Sequence, residues 1–409
     1  MLVFHVVETV MGGMIVFVGS FSLFLKEHLF ISEAVLALMI GIGIGEQGLK
    51  LLAPLTQGQL LEASRFVISI QLMAVGLSLS RTFYAREWKS LVLILGPVTL
   101  TMWIVSSLLI YALFNHVFDF LDCLMMGVCI TPTDPVLVGS ILKGKFADLH
   151  IPHHIRNLLA AESGTNDGLV LPLFCLLLYV FQNPGDPIKV LVLWLSECLG
   201  KEILASCWVG VLYGYATKWI MKFSHSRRLY DRESFLIFFL ALTIHITGIV
   251  KILGGNEFYS IFVAAITLGW DDTNSFFHGS ETSLQDVIDM VLNLTFFTYL
   301  GASLPWEAYK QIGFGRLVAL SSLILSIRRL PIVLSLCRFI PNLRNYKEAI
   351  FFGWFGPIGV GAIYYVALNP SSPEQFNSHV FPVVRCDYSC CQFRFSLLIM
   401  LLVLSFLFL

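Results

Sequence analysis

An acidic cluster inside an apolar stretch is the first feature of this sequence that could do chemistry. The segment AESGTNDG, residues 161–168, carries Glu162, Asn166 and Asp167. Charged side chains buried in an apolar helix are costly and are functional candidates by default. A carboxylate beside an amide oxygen, as in Asp167 and Asn166, is the all-oxygen ligand set that hard cations prefer. The alternative is that Asp167 is a neutral, hydrogen-bonded acid that serves packing alone.

Two arginines lie deep in another apolar stretch. Arg328 and Arg329 occupy the middle of SSLILSIRRLPIVLSL, too far from its ends for their guanidinium groups to reach water easily. A buried guanidinium needs a carboxylate partner. We predict that Arg329 pairs with Glu162, which leaves Asp167 free to exchange its ligands.

Proline and glycine interrupt two further apolar stretches, at TPTDP (residues 131–135) and at GWFGPIGVG (residues 353–361). Proline removes a backbone donor and clashes with the preceding helical turn. In a bilayer, unwound backbone is tolerated only where it is buried in protein or lines a wet cavity. The two breaks together predict a cavity where half-helix ends and carbonyl groups can hold a small cation. Each break could instead be a packing kink.

The composition indicates where these residues act. Of 409 residues, 57% are hydrophobic and 13% are charged, about half the roughly 25% of charged residues in soluble domains. This excludes a soluble globule, a disordered chain and a nucleic-acid binder, and the net charge of −1 indicates no polyanionic partner. The sequence therefore predicts an all-α polytopic membrane protein whose surroundings are the lipid bilayer.

Apolar runs separated by polar breaks predict about thirteen transmembrane helices. If the seventh is a linker, each interrupted helix is the fifth of six in its half, which indicates an inverted-repeat transporter with a site at the midplane. Basic connectors after the odd-numbered helices place the N-terminus outside and the C-terminus in the cytosol, although the connector 271–283 is acidic. The predicted helices are 10–25, 33–48, 65–79, 90–114, 121–142, 155–181, 190–219, 235–252, 258–270, 284–304, 315–339, 349–368 and 395–409.

The remaining polar and sulfur-containing residues receive simpler interpretations. Most of the nine cysteines, such as Cys175, lie in apolar runs, where cysteine packs as a small hydrophobe. We therefore predict no disulfide framework. The three cysteines within residues 386–391 lie close together in sequence, but no histidines stand at metal-ligand spacing from them, so packing is favoured there too. Glu197 and Lys201 are four residues apart and are expected to neutralise each other. The pair Asn256-Glu257, at the start of the ninth predicted helix, could guard a vestibule.

Several segments together resemble one family of transporters. TPTDPVL, KGKFA, HIPHHIRNLLAAESGTNDG, GASLPW, RRLP and GWFGPIGVGAIYY resemble the monovalent cation/proton antiporter 1 family, and most of all its fungal plasma-membrane Na⁺/H⁺ antiporters. The resemblance implies a thirteen-helix, inverted-repeat fold with two crossed unwound helices, a mobile core half and a dimerisation half that makes a homodimer. It also implies exchange of Na⁺ or Li⁺, and in fungal members often K⁺, for H⁺, and hence roles in salt tolerance and pH homeostasis.

The resemblance also assigns residues. The acid that binds the transported Na⁺ or the proton falls on Asp167, with Asn166 as its partner amide. Further ligands at the crossing fall on Thr133 and Asp134, and a structural ion pair falls on Glu162 and Arg329. The transported ions are cargo, and no cofactor and no enzymatic activity are expected.

Two regions are predicted. Residues 1–382 form the exchanger transmembrane domain, with broken helices near 121–142 and 349–368. Residues 383–409 depart from the expected pattern: RCDYSCCQFRF is followed by an almost uniform apolar stretch, as in an altered reading frame or a truncated gene model.

The predicted mechanism uses one carboxylate for two ligands in turn. A bare carboxylate crossing a low-dielectric barrier costs several kcal/mol. The core therefore moves mainly when Asp167 holds a cation or a proton. A passive monovalent cation channel is the alternative. An intramembrane aspartyl protease is disfavoured because the sequence has GTND where such enzymes have GxGD.

Overall fold

The computed structural model describes residues 2–24, 32–46, 48–79, 81–142, 145–227, 229, 232–270 and 282–368. Within these ranges the chain is helical and contains no strand. The predicted helix 395–409 and the atypical region 383–409 lie outside the described residues.

The helices carry the labels α1 to α20 in chain order. Two π-helical segments, Ile94–Val98 and Trp194–Ala205, join α-helices end to end. The α-helices are α1 (Leu2–Phe24), α2 (Glu33–Ile44), α3 (Gln57–Ser78), α4 (Arg81–Leu93), α5 (Thr99–Phe114), α6 (Phe120–Cys129), α7 (Pro135–Leu142), α8 (Lys145–His150), α9 (His153–Leu169), α10 (Leu171–Gln182), α11 (Pro187–Leu193), α12 (Ser206–Ser226), α13 (Arg232–Ile252), α14 (Glu257–Leu268), α15 (Thr282–Ala302), α16 (Trp306–Ile312), α17 (Phe314–Ile327), α18 (Leu330–Leu336), α19 (Tyr346–Trp354) and α20 (Val360–Leu368).

Helical stretches of membrane-spanning length are present. By length and composition, four of those described could cross a bilayer: Gln57–Ser78, Thr82–Phe114, His153–Gln182 and Phe314–Leu336. Large apolar side chains such as Trp208 and Trp219 on α12 point outward. Such exposed apolar surface is costly in water but suits a lipid environment.

The fourth predicted helix differs from the structure at its beginning. The prediction starts this helix at residue 90, where the apolar run begins. In the structure the basic segment before residue 90 is also helical, and α4 begins at Arg81. Pro97 lies within the π-helical segment Ile94–Val98. Proline lacks the N–H that would close an α-helical turn, and the Thr99 hydroxyl donates to the Ile94 carbonyl at 3.1 Å.

The two interruptions predicted from proline and glycine are present. The first helix is unwound between α6 and α7, and the second between α19 and α20. The breaks meet directly, because the Asp134 backbone N–H donates to the Pro357 carbonyl at 3.0 Å. The prediction of two crossed unwound helices is confirmed. α3 packs against both α20 and α9, so it lines one side of the crossing.

Candidate functional site

Each broken helix consists of two half-helices, α6 and α7 in the first and α19 and α20 in the second. Asp134 accepts hydrogen bonds from the beginnings of α7 and α20. Its Oδ1 accepts a hydrogen bond from the Leu137 backbone N–H at 3.1 Å, in the first turn of α7. Its Oδ2 accepts one from the Val360 N–H at 2.8 Å, at the start of α20. Helix N-termini carry unsatisfied N–H groups and partial positive charge, which a carboxylate stabilises. One buried acid therefore caps two half-helices that are far apart in sequence.

Arg328 binds the carboxyl ends of the other two half-helices, α6 and α19. Its Nη1 donates to the Ile130 carbonyl at 2.6 Å, just after α6. Its Nη2 donates to the Gly356 carbonyl at 2.7 Å, just after α19. Cations are favourable at helix C-termini, where carbonyl groups lack partners. One acid and one base thus compensate the partial charges of the four half-helix ends at the crossing. The sequence did not reveal that Asp134 and Arg328 together would do this.

The structure brings together the pair predicted from the sequence, Glu162 and Arg329. Arg329 Nη2 donates to Glu162 Oε2 at 2.6 Å, and both side chains are fully or almost fully buried. The guanidinium also lies 4.6 Å from the ring centroid of Phe352, on α19, which adds a cation–π contact. This pair links α9 to the start of α18.

Three further side chains, two on α9 and one in the first break, lack the partners that Asp134, Arg328 and the ion pair have. Both carboxylate oxygens of Asp167, both amide atoms of Asn166 and the hydroxyl of Thr133 are buried, and among the described residues none of these five atoms has a hydrogen-bond partner. Leaving a buried polar group unpaired costs about 1–3 kcal/mol, so native structures rarely do so without a ligand or a function. These atoms are the candidate ligand set.

Two glycines of the second break show how closely the acids approach it. A Cβ added at Gly359 would collide with the carboxylate of Asp134, and one at Gly361 would collide with Oδ1 of Asp167. The same Cβ at Gly361 would lie 3.2 Å from Cβ of Pro132, in the first break. Asp167 therefore points at the meeting of the two unwound segments rather than at lipid.

The backbone around Asp167 is held by two tyrosine hydroxyls. Tyr365 on α20 donates to the Asp167 carbonyl at 2.6 Å. Tyr259 on α14 donates to the next carbonyl, that of Gly168, at 2.8 Å. Both bonds go to the main chain, so they fix the position of the acid without occupying its carboxylate.

At the start of α14, Asn256 and Glu257 are both buried. The Asn256 side chain caps the helix by accepting from the Phe258 N–H at 3.0 Å. Glu257 is buried, with Lys251 Nζ 3.0 Å and Arg65 Nε 3.9 Å from its carboxylate oxygens. Sequence reasoning missed this charge cluster, because its members come from three separate helices.

The fold is that of a membrane antiporter. It matches the structure of the sodium proton antiporter MjNhaP1 from Methanocaldococcus jannaschii with a TM-score of 0.72 at 17% sequence identity, covering 97% of this chain and 93% of that one. The predicted all-α antiporter fold is confirmed. The total of thirteen helices stays a prediction.

The chain belongs to the sodium/hydrogen exchanger transmembrane family, whose model matches residues 13–408. It is 37% identical over 393 residues to Na⁺/H⁺ antiporter 2 of Zygosaccharomyces rouxii, covering 92% of this chain and 47% of that protein. It is 35% identical over 368 residues to a Na⁺/H⁺ antiporter of Saccharomyces cerevisiae, covering 88% and 37%. The chain spans less than half the length of either relative. The resemblance to fungal Na⁺/H⁺ antiporters is confirmed.

Proposed function

We propose that this protein is a secondary active antiporter that exchanges Na⁺ or Li⁺ for H⁺ across a membrane, with K⁺ as a further candidate cation. The observation that carries the proposal is the carboxylate of Asp167, which is buried without a hydrogen-bond partner among the described residues and lies against Gly361, itself beside Pro132 of the first break. Asn166, next to it on α9, and Thr133, next to Pro132, are likewise buried and unpartnered in this part of the structure. The names of the fungal relatives support the same activity.

In this proposal Asp167 is the anionic ligand of the transported cation, while Asn166 and Thr133 supply neutral oxygens. Asp134 has a mixed role. Each of its oxygens already accepts a backbone N–H, but a carboxylate oxygen has a second lone pair. Asp134 therefore mainly holds the half-helices in place and can add one further oxygen to the cation. Glu162 and Arg329 hold the fold around the site.

Coupling follows from the burial of Asp167. A cation and a proton cannot both occupy the carboxylate, because each neutralises the same negative charge. An empty, charged carboxylate would have to cross a low-dielectric barrier at a cost of several kcal/mol. The protein therefore changes its access only when one of the two ligands is bound, which makes exchange obligatory.

The remaining parts of the proposal concern the setting. The chain acts as a homodimer in the plasma membrane, with the N-terminus outside and the C-terminus in the cytosol. Transport needs no bound cofactor. The basic connectors after odd-numbered helices support the orientation, and the homodimer and the plasma membrane are what the resemblance to fungal antiporters implies.

The test is cation-dependent proton flux in vesicles that contain the full chain. With an imposed pH gradient, addition of Na⁺, Li⁺ or K⁺ on the opposite side should dissipate the gradient, and Asp167→Asn should abolish this while still inserting normally. Asp186→Asn is the matched control, because Asp186 only caps α11 near the surface and asparagine caps a helix equally well. Flux that follows an imposed voltage without any cation gradient would identify a channel instead, and full exchange by Asp167→Asn would refute the assignment.

A further inference from the structure

A second buried cluster of ligating side chains lies outside the candidate site. It consists of Cys175 on α10 and of Cys198 and Glu202 on the π-helical segment Trp194–Ala205. The two sulfurs and one carboxylate oxygen all lie within 4.8 Å of one another. Cys175 Sγ is 3.9 Å from Glu202 Oε2.

The donor set has a clear chemical preference. Thiolate sulfur selects soft and borderline cations and disfavours alkali cations and Mg²⁺. In a tetrahedral zinc site the Zn–S bonds are about 2.3 Å and the Zn–O bonds about 2.0–2.2 Å, so neighbouring ligand atoms lie roughly 3.5–3.8 Å apart. The observed separations need only small side-chain rotations to reach this geometry. The cluster therefore fits a thiophilic divalent cation and not the proposed transported ions.

Charged groups surround the cluster. Glu202 feels the positive charges of Lys251 and Lys201 and the opposing negative charge of Glu257. Both cysteines are fully buried, and Glu202 is 6% exposed. One residue earlier, Lys201 is about half exposed, and it pairs with the half-exposed Glu197 at 3.6 Å.

We propose that Cys175, Cys198 and Glu202 form a binding site for a thiophilic divalent cation such as Zn²⁺ or Cd²⁺, and that the bound cation ties α10 to the segment Trp194–Ala205. α10 follows α9, the helix of Asp167, after a single intervening residue. Tying α10 to its neighbour therefore restricts the helix that carries the transport acid, and exchange slows. Binding is independent of the proposed exchange activity, whereas the slowing rests on it.

Binding is tested on the purified full chain with Cd²⁺, through the ultraviolet absorption of Cd²⁺–thiolate bonds. The parent for this experiment carries Cys386→Ser, Cys390→Ser and Cys391→Ser, which removes a separate group of thiols. We expect saturable binding of one Cd²⁺, displaced by Zn²⁺ but not by Mg²⁺ or Na⁺. Cys175→Ser, Cys198→Ser and Glu202→Gln should each weaken it at least about tenfold, since even the loss of outer contacts to a metal ligand costs 10- to 100-fold.

Cys337→Ser is the matched control, because Cys337 is a buried cysteine just after α18, outside the cluster. A parent with no Cd²⁺–thiolate absorption, or equal weakening by Cys337→Ser, would overturn the site. If a serine variant does not fold, Cys→Ala variants and the Cd²⁺-dependent rise in the melting temperature of the parent decide the question, because a ligand that binds only the native state stabilises it.

The tie is tested by the ratio of exchange rates with and without saturating Cd²⁺. The ratio should fall well below one in the parent and in Cys337→Ser, and should return toward one in Cys175→Ser. Bound Cd²⁺ with an unchanged exchange rate would overturn the tie. A parent without any exchange would refute the proposed function, and the absorption titration would still decide the metal site.

Discussion

Two groups of buried polar residues near the crossing differ in whether their side chains form any hydrogen bond within the described residues. In the first group, Asp134 and Arg328 bind the ends of half-helices. Glu162 and Arg329 form an ion pair with each other. Asp167, Asn166 and Thr133 have no such partner among the described residues. The first group stabilises two broken helices in a low-dielectric environment. The second group is available to bind a ligand. The comparison suggests that substitutions should separate stability from transport.

The largest expected effect is on stability, from breaking the buried ion pair. Arg329→Met or Glu162→Gln leaves one uncompensated charge in the interior, which typically costs about 3–5 kcal/mol. The measurement is thermal or denaturant unfolding of the purified protein. The double variant Glu162→Gln/Arg329→Met removes both charges and should recover much of the loss.

The exposed pair Lys310–Glu307, 2.9 Å apart on α16, provides the control for that comparison. Lys310→Met should change stability by less than about 1 kcal/mol, because exposed ion pairs contribute little. The charge swap Glu162→Arg/Arg329→Glu should fold better than either reversed single variant. If the swap and both reversed singles are all as stable as the parent, the pair has no structural role.

The next effect concerns the double cap. Asp134→Ala removes the acceptor of two helix starts, and since one N-cap contributes about 0.5–2 kcal/mol, a loss of roughly 2 kcal/mol is expected. Asp186→Ala removes a single cap, on α11, and should lose about half as much. Equal losses in the two variants would show that the bond from Asp134 to α20 contributes nothing.

The smallest effect on stability and a selective effect on transport are expected from Thr133→Val. The shape is kept and the lost hydroxyl had no hydrogen-bond partner among the described residues, so unfolding should change by less than about 1 kcal/mol. The apparent Na⁺ affinity in vesicle exchange should fall about tenfold, equivalent to about 1.4 kcal/mol. Thr131→Val is the control, since the Thr131 hydroxyl donates to the Gly127 carbonyl at 2.8 Å. Transport that is weakened only by Thr131→Val would remove Thr133 from the ligand set.

Much of the fold was predictable because its signals are local. Proline and glycine interrupt a helix wherever they occur, so both breaks were visible in TPTDP and GWFGPIGVG. The buried pair was predictable because few carboxylates are available inside apolar helices to a deep arginine. Asp167 stood out for the same reason.

The features that could not be predicted depend on contacts between distant segments. The capping of α7 by Asp134 has a sequence signal in its three-residue spacing to Leu137, but the approach of Val360 has none. Arg328 binds main-chain carbonyls, which every residue possesses, so no side chain reveals its partners. The four-residue spacing of Cys198 and Glu202 was visible, whereas the proximity of Cys175 required the packing of α10 on the neighbouring segment.

The central claim is that one carboxylate holds either a metal ion or a proton, and it is tested most directly by proton release on Na⁺ binding. Purified protein in weak buffer is mixed with NaCl, and the released protons are counted with a pH indicator. Because the two ligands compete, binding of one must displace the other. The parent should release up to about one proton per chain in the pH range where the site is protonated, with weaker Na⁺ binding as the pH falls, and Asp167→Asn should release none. Equal release from Asp167→Asn, or Na⁺ binding without proton release at every pH at which the protein stays folded, would contradict the account.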